Sequence, residues 1–411
     1  MDTCADLLIT SAPARRRYLV VGSLGMLFSG IIYGWSILKA PMMEAFGWTA
    51  SQMAVNYTLT MCFFCLGSLL TGLLLRRIPV KLLLLAAGVL VCTGFVMTAR
   101  MEGSSVWELY ISYGMAIGFG SGLSYNTLLS VAGMWYPDKK GFCSGIMMMS
   151  FGLSAMLLGQ VCVWLFDSLP TGWRGTFTCV GMTALFVMIF CALVFRLPPA
   201  DMRFPVRQQS GKMSDPSAQR EYAAAEVVRR PTFWIFYLYG TLGTTVGSVV
   251  FSFAYDLAIS LGAQIRFATM LVGLLTVFNG VGRVICGLSF DHAGREKTML
   301  GAGILTVAAP LCMLAAILTR CLPLGLAAFC MTGISYGCYP TISASVIAAF
   351  YGMKNFSMNY SISNTKLLLS SFSSIFAAFL ITQTGSYIAP FCVLVCSAAA
   401  ALGLGQAIKR P

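Results

Sequence analysis

Twelve predominantly apolar blocks recur along the chain, each about as long as a helix needs to be to cross the ~30 Å hydrocarbon core of a bilayer. They lie near 18–38, 53–75, 80–99, 106–134, 142–166 and 176–195, then 233–259, 268–290, 298–319, 322–349, 358–382 and 387–408. In lipid every backbone N–H and C=O needs an internal partner, and for blocks of this length the α-helix supplies it. Composition agrees, with 58% of the 411 residues hydrophobic and 10% charged, against ~25% charged in soluble domains. The chain reads as an all-α membrane protein with twelve transmembrane helices, and water-soluble globular folds are excluded.

The few polar features narrow the function. The single histidine, His292, falls in a charged loop, so histidine metal sites, Ser-His triads and histidine proton relays are not expected. Most of the fifteen cysteines lie inside apolar blocks, where a thiol packs as a small hydrophobe. Cys62 and Cys65 are read in the same way. Neither a cofactor nor a metal is called for, and no intramembrane enzyme constellation is visible. The excess of 27 Lys and Arg over 14 Asp and Glu would point to nucleic acid in a soluble protein. Here, without a basic and aromatic platform, it records orientation in the bilayer.

Sorting those charges by loop gives the orientation. Twenty lie on one side: Arg15 to Arg17, then Arg76, Arg77, Lys81, Lys139 and Lys140, seven in the stretch 196–231, then Arg295, Lys297, Lys354, Lys409 and Arg410. Five lie on the other: Lys39, Arg100, Arg174, Arg266 and Arg320. The positive-inside rule then predicts both termini in the cytoplasm of a cell inner or plasma membrane. The first block, behind Arg15 to Arg17, is too long for a signal-peptide core and reads as a retained span. The only long polar stretch divides the chain into an N-terminal half, 1–195, a cytoplasmic linker, 196–231, and a C-terminal half, 232–411.

An internal repeat at an offset of 215 residues supports this division: Gly72 maps to Gly287, Gly118 and Gly122 to Gly333 and Gly337, and Trp135-Tyr136 to Phe350-Tyr351. Six spans per half preserve orientation, so the halves are parallel repeats about an axis along the membrane normal. The stretch holding Gly287, Asp291, Gly294, Arg295 and Lys297 resembles the loop signature of the major facilitator superfamily. Its N-terminal counterpart carries Arg76 where that pattern has aspartate. Further pieces are Tyr33 to Ser36, Asn56-Tyr57, Gly118 to Tyr125, Trp135 to Gly141, Arg230 to Trp234, Asn279 to Arg283, and Lys366. In order and spacing they resemble the oxalate:formate antiporter family, which is related to monocarboxylate porters.

Two basic residues belong to neither side. Arg283 precedes Asp291 by eight residues, about 12 Å inside the membrane at 1.5 Å per residue, and Lys366 lies at comparable depth after Lys354. Burying each charge costs at least ~2.5–3.5 kcal/mol, and all fourteen acidic residues fall in loops or at span ends. A substrate anion is the partner expected to neutralise both. An arginine fork and a lysine point charge suit a carboxylate, and the family resemblance implies the same role for this pair.

Tyr33, Tyr125 and Tyr336 stand at family-like positions whose hydroxyls can bond a carboxylate, and Asn279 occupies the turn before Arg283, where proton-linked porters carry aspartate. Ile32, Thr332 and the run Ser363 to Thr365 replace a glutamine and two tryptophans of the oxalate pattern. That leaves a roomier, hydroxyl-rich space in which oxalate is a poor fit. The sequence thus predicts a secondary transporter, functional as a monomer in the bilayer, that exchanges a small mono- or dicarboxylate by alternating access. The alternatives are a proton-coupled monocarboxylate symporter and, behind it, a multidrug exporter.

Overall fold

The structure is a computed structural model that describes residues 2–75, 77–102, 105–136, 140–198, 222–352 and 355–408. Most of the polar linker, together with Arg76, Lys139, Lys354, Lys409 and Arg410, lies outside the described residues. The chain runs through α1 (Asp2–Ser29), a 3-10 segment (Gly30–Gly34), α2 (Trp35–Leu38), α3 (Ala40–Phe46), α4 (Ala50–Leu74) and α5 (Val80–Ala99). Next come α6 (Val106–Leu109), a π segment (Tyr110–Ile117), α7 (Gly118–Trp135), α8 (Lys140–Ser168) and α9 (Gly172–Val194). Beyond the linker follow α10 (Ala224–Val227), α11 (Pro231–Ser260), α12 (Ile265–Thr319), α13 (Leu322–Tyr351), α14 (Phe356–Asn364), α15 (Lys366–Thr384) and α16 (Ile388–Ala407). No strand occurs among the described residues.

Eleven helical stretches among the described residues are long and apolar enough to cross a membrane. A twelfth passage runs from α6 through the π segment into α7 without leaving helical structure. Local chemistry sets the ends. Thr49 and Gln52 cap α4 reciprocally, the Thr49 amide donating to Gln52 Oε1 at 2.8 Å and the Gln52 amide to Thr49 Oγ1 at 3.3 Å. Within α12 the backbone of Gly294 turns to φ +80°, a left-handed value that glycine adopts freely. That glycine lies near the start of the stretch His292–Thr319, just past the end of Ile265–Phe290. The turn leaves the Arg295 guanidinium 5.2 Å from the Phe350 ring centre and paired with Glu296 at 3.0 Å.

The repeat legible in the sequence is present as packing. An added Cβ at Gly67 would strike the carbonyl oxygen of Phe119, and one at Gly282 that of Ile334. Gly118 lies likewise on Thr60 and Gly333 on Leu275, while Gly122 lies on Phe64 and Gly337 on Asn279. In all three pairs both members shift by the same 215 residues. The α4–α7 crossing of the first half therefore recurs as the α12–α13 crossing of the second, each made close by small residues meeting backbone.

One end of the bundle gathers both ends of the linker. Tyr18 stacks on Trp135 with ring centres 4.2 Å apart, and Trp135 Nε1 donates to the Arg196 carbonyl at 2.9 Å. On the far side of the linker the Tyr222 amide donates to the Tyr351 carbonyl at 3.1 Å. The opposite end holds the end of the first span and the end of α11.

Candidate substrate site

A small cavity lies between helices of both repeats. Tyr33 on the 3-10 segment, Phe64 on α4, Tyr125 on α7 and Phe151 on α8 line it from one side. Arg283 on α12, Tyr336 and Pro340 on α13, Tyr360 and Asn364 on α14, and Leu367 on α15 line the other. Aromatic rings form its frame around Phe151, whose ring centre lies 5.1 Å from Tyr33, 5.0 Å from Tyr125 and 6.0 Å from Phe64. Across the cavity Phe251 joins Tyr33 to Tyr336, with ring separations of 4.8 and 5.2 Å.

Arg283 is 7% exposed, and its Nε and Nη1 have no hydrogen-bond partner. Its nearest electrostatic neighbours are Tyr125, Tyr33 and Tyr360. Tyrosine hydroxyls can accept from a guanidinium but cannot neutralise it. No aspartate or glutamate lines the cavity among the described residues. Asn279, a turn before Arg283 and buried, has both amide atoms without a partner, as does the Tyr57 hydroxyl close to Tyr33. Buried polar groups are normally bonded, so this concentration of unbonded ones around one cation makes the cavity the candidate site.

Four of the six residues predicted for substrate binding, Arg283, Tyr33, Tyr125 and Tyr336, meet in this cavity. Asn279 adjoins it without lining it. Lys366 does not line it either, although its neighbour Leu367 does. The lysine is 1% exposed and its ammonium donates to Ser343 Oγ, with Nζ 5.6 Å from the Phe236 ring centre. Gly240 of α11 makes room for the stem, since a Cβ there would come within 2.6 Å of Lys366 Cδ. Ser343 follows Pro340 by three residues on α13, so the ammonium lies roughly one turn, ~5 Å along the helix, beyond the cavity lining.

Tyr57, Tyr360, Asn364, Phe64 and Phe151 were not singled out as binding residues by sequence reasoning. Two signals for them existed. Tyr360 and Asn364 stand on the turns before Lys366, and Phe151 is the counterpart of Lys366 in the 215-residue repeat. Of the loop signature, Gly294 provides the positive-φ turn and Arg295 the contact with Phe350. At Gly287 an added Cβ would meet only Thr341 Cγ2, at 3.8 Å. The side chain of Asp291 lies outside the described residues.

A helical bundle built twice over, with two buried cations that meet no acid among the described residues, is the architecture of a membrane carrier. The family model of the Major Facilitator Superfamily matches residues 18–372, and the chain belongs to that superfamily, whose members are multi-pass membrane transporters and not enzymes. Among curated relatives it is 25% identical over 390 residues to the oxalate:formate antiporter of Oxalobacter formigenes, covering 90% of this chain and 89% of that one. It is also 25% identical over 351 residues to the uncharacterized MFS-type transporter YhjX of Escherichia coli K12, covering 85% and 84%. Identity to monocarboxylate transporter 12 of mouse is 24% over 412 residues, covering 91% and 82%. Two solved structures share the fold. A bacterial homolog of the human lysosomal transporter Spinster gives a TM-score of 0.70 at 17% identity, covering 97% of this chain and 98% of its own. The xylose transporter XylE from E. coli gives 0.71 at 12%, covering 95% and 97%.

Proposed function

We propose that this transporter carries a small organic anion, a mono- or dicarboxylate, by alternating access and in exchange for a second anion. The observation that carries the reading is Arg283, a buried guanidinium with two unbonded nitrogens facing a cavity of tyrosines and no acid. A carboxylate can accept from a guanidinium along its Nε/Nη2 or its Nη1/Nη2 edge, each of which here includes one unbonded nitrogen, and such bidentate pairing is the strong form of charge-assisted hydrogen bond. Neighbouring hydroxyls from Tyr33, Tyr125 and Tyr336 would fix its orientation. Similarity to the oxalate:formate antiporter and to monocarboxylate transporters supports the same substrate class.

Lys366 enters as a second, movable cation. Its bond to Ser343 satisfies one donor but leaves the charge without a counter-ion, which is costly at membrane depth. A carboxylate on Arg283 brings negative charge within about a helical turn, and in this reading the lysine stem swings from Ser343 to meet it. A dicarboxylate then leaves the loaded site neutral and a monocarboxylate leaves it one positive charge, whereas the empty carrier holds two buried charges, so the loaded form is the freer to reorient. In this account residues 1–195 and 232–411 rock on one another about the site, joined by the 196–231 linker, with both termini cytoplasmic in the inner membrane.

The test is exchange in proteoliposomes loaded with unlabelled carboxylate. Uptake of labelled carboxylate at least ten times faster with trans anion than without supports obligatory exchange. Equal rates would remove the coupling, and alkalinisation outside the vesicles during uptake would instead favour proton symport, the reading that likeness to the monocarboxylate transporters keeps in view.

A further inference from the structure

At the end of the bundle away from the linker, Lys39 and Asp256 form an ion pair with Nζ and Oδ2 2.5 Å apart. Lys39 follows α2 at the far end of the first span, and Asp256 lies near the far end of α11. The same ammonium donates to the Ser252 carbonyl at 3.2 Å, a bond between residues 213 apart in sequence, and lies 4.8 Å from the Phe253 ring centre. Three interactions thus fasten the end of the first span to one face of α11. A few residues deeper, the same two segments meet again where Tyr33 packs on Phe251, and Tyr33 is itself a wall of the cavity. The ion pair therefore lies on the same seam between these two segments as the Tyr33–Phe251 contact at the cavity wall, toward this end of the protein.

The pair is asymmetric in a way that suits repeated opening. Lys39 is 1% exposed, whereas the Asp256 side chain is 31% exposed. A half-wetted carboxylate loses little on separation, while a buried ammonium loses its only counter-ion and has to be rehydrated. The bond is strong while the seam is dry and weakens as water reaches the lysine. Such a contact holds one conformation without trapping it.

We infer that Lys39 and Asp256 form the latch that keeps the pathway shut at the end opposite the linker, and that they part when the carrier opens there. The latch lies outside the substrate cavity, and its operation does not depend on which solute the cavity takes.

The experiment reads opening directly. Ser252 is buried beside the latch, and in Ser252→Cys its thiol reports water access through the rate of labelling by a membrane-impermeant maleimide. The full chain is placed in lipid nanodiscs and labelling of the native cysteines is subtracted. Lys39→Gln or Asp256→Asn, added to Ser252→Cys, is expected to raise that rate at least fivefold, and the exchanged pair Lys39→Asp with Asp256→Lys to bring it back to within twofold. Rates within twofold of Ser252→Cys alone in both single variants overturn the latch, as does an exchanged pair that stays as open as the singles. Asp256→Asn preserves size and shape and decides the matter alone where the exchanged pair does not fold. No substrate is present in this assay, so its outcome is separate from that of the anion-exchange experiment.

Discussion

The ammonium of Lys366 donates to Ser343 Oγ, whereas the guanidinium of Arg283 leaves Nε and Nη1 unbonded in the cavity. The two cations that the sequence places at similar depth therefore differ in availability. In the proposed mechanism the first receives the carboxylate, and the second, about a turn away, joins it afterwards.

That difference predicts a kinetic split. Arg283→Gln is expected to raise the KM for the transported anion at least thirtyfold, or to abolish saturable uptake, because the guanidinium nitrogens are already free when the anion arrives. Lys366→Gln is expected to lower the exchange rate at least tenfold with KM changed less than threefold, because the lysine joins later. Initial rates over a concentration series in proteoliposomes give both numbers, and matching effects on KM would contradict the assignment.

Asn279→Asp is expected to pair internally with Arg283, one helical turn away, and so to compete with the substrate. Apparent affinity should fall about tenfold at pH 7.5. Pairing with arginine keeps the new carboxylate ionised through this range, so the loss should persist unchanged as pH is lowered from 7.5 to 5.5. A pH series of uptake rates over that range, run beside the parent, checks this.

Removal of single hydroxyls is expected to trim affinity rather than destroy it. Tyr33→Phe, Tyr125→Phe and Tyr336→Phe each lose at most one hydrogen bond to a charged group, worth about 1.5–3 kcal/mol, or roughly ten- to hundredfold in KM. A variant with unchanged KM would place that hydroxyl outside the anion's reach.

Packing supplies a prediction independent of transport. At Gly337 a methyl group would collide with the Asn279 carbonyl, whereas at Gly301 nothing lies within 4 Å. Gly337→Ala is expected to cost about 1–3 kcal/mol by forcing α12 and α13 apart. Gly301→Ala should be neutral or stabilising by up to about 1 kcal/mol, because alanine is the better helix former. Thermal unfolding of the two purified variants in one detergent compares them directly.

Much of the fold was legible because the bilayer restricts a span to one form. The third block, read as 80–99, is the helix Val80–Ala99, and the fourth, 106–134, is the passage from α6 through α7. The 215-residue offset was visible because close helix crossings need glycine at fixed positions. Arg283 was legible because a charge in an apolar block stands out. The direction of the Lys366 side chain was not, since it depends on the cleft between α11 and α13 that Gly240 and Ser343 provide. The Lys39–Asp256 pair was hidden for a similar reason: it joins distant segments, and sequence spacing alone cannot show which loop charges meet. The π segment at Tyr110–Ile117 left no periodicity to read, and it packs Gly114 against Asn56, where a Cβ would come within 2.9 Å of Oδ1.

The central claim, that Arg283 holds the carboxylate of a small anion, is tested most directly by equilibrium binding of a labelled panel of mono- and dicarboxylates to the purified protein and to Arg283→Gln. Saturable binding of at least one carboxylate to the parent, weakened at least thirtyfold in Arg283→Gln while the variant's unfolding temperature stays within a few degrees, is the predicted result. Equal affinity in the two proteins would contradict it.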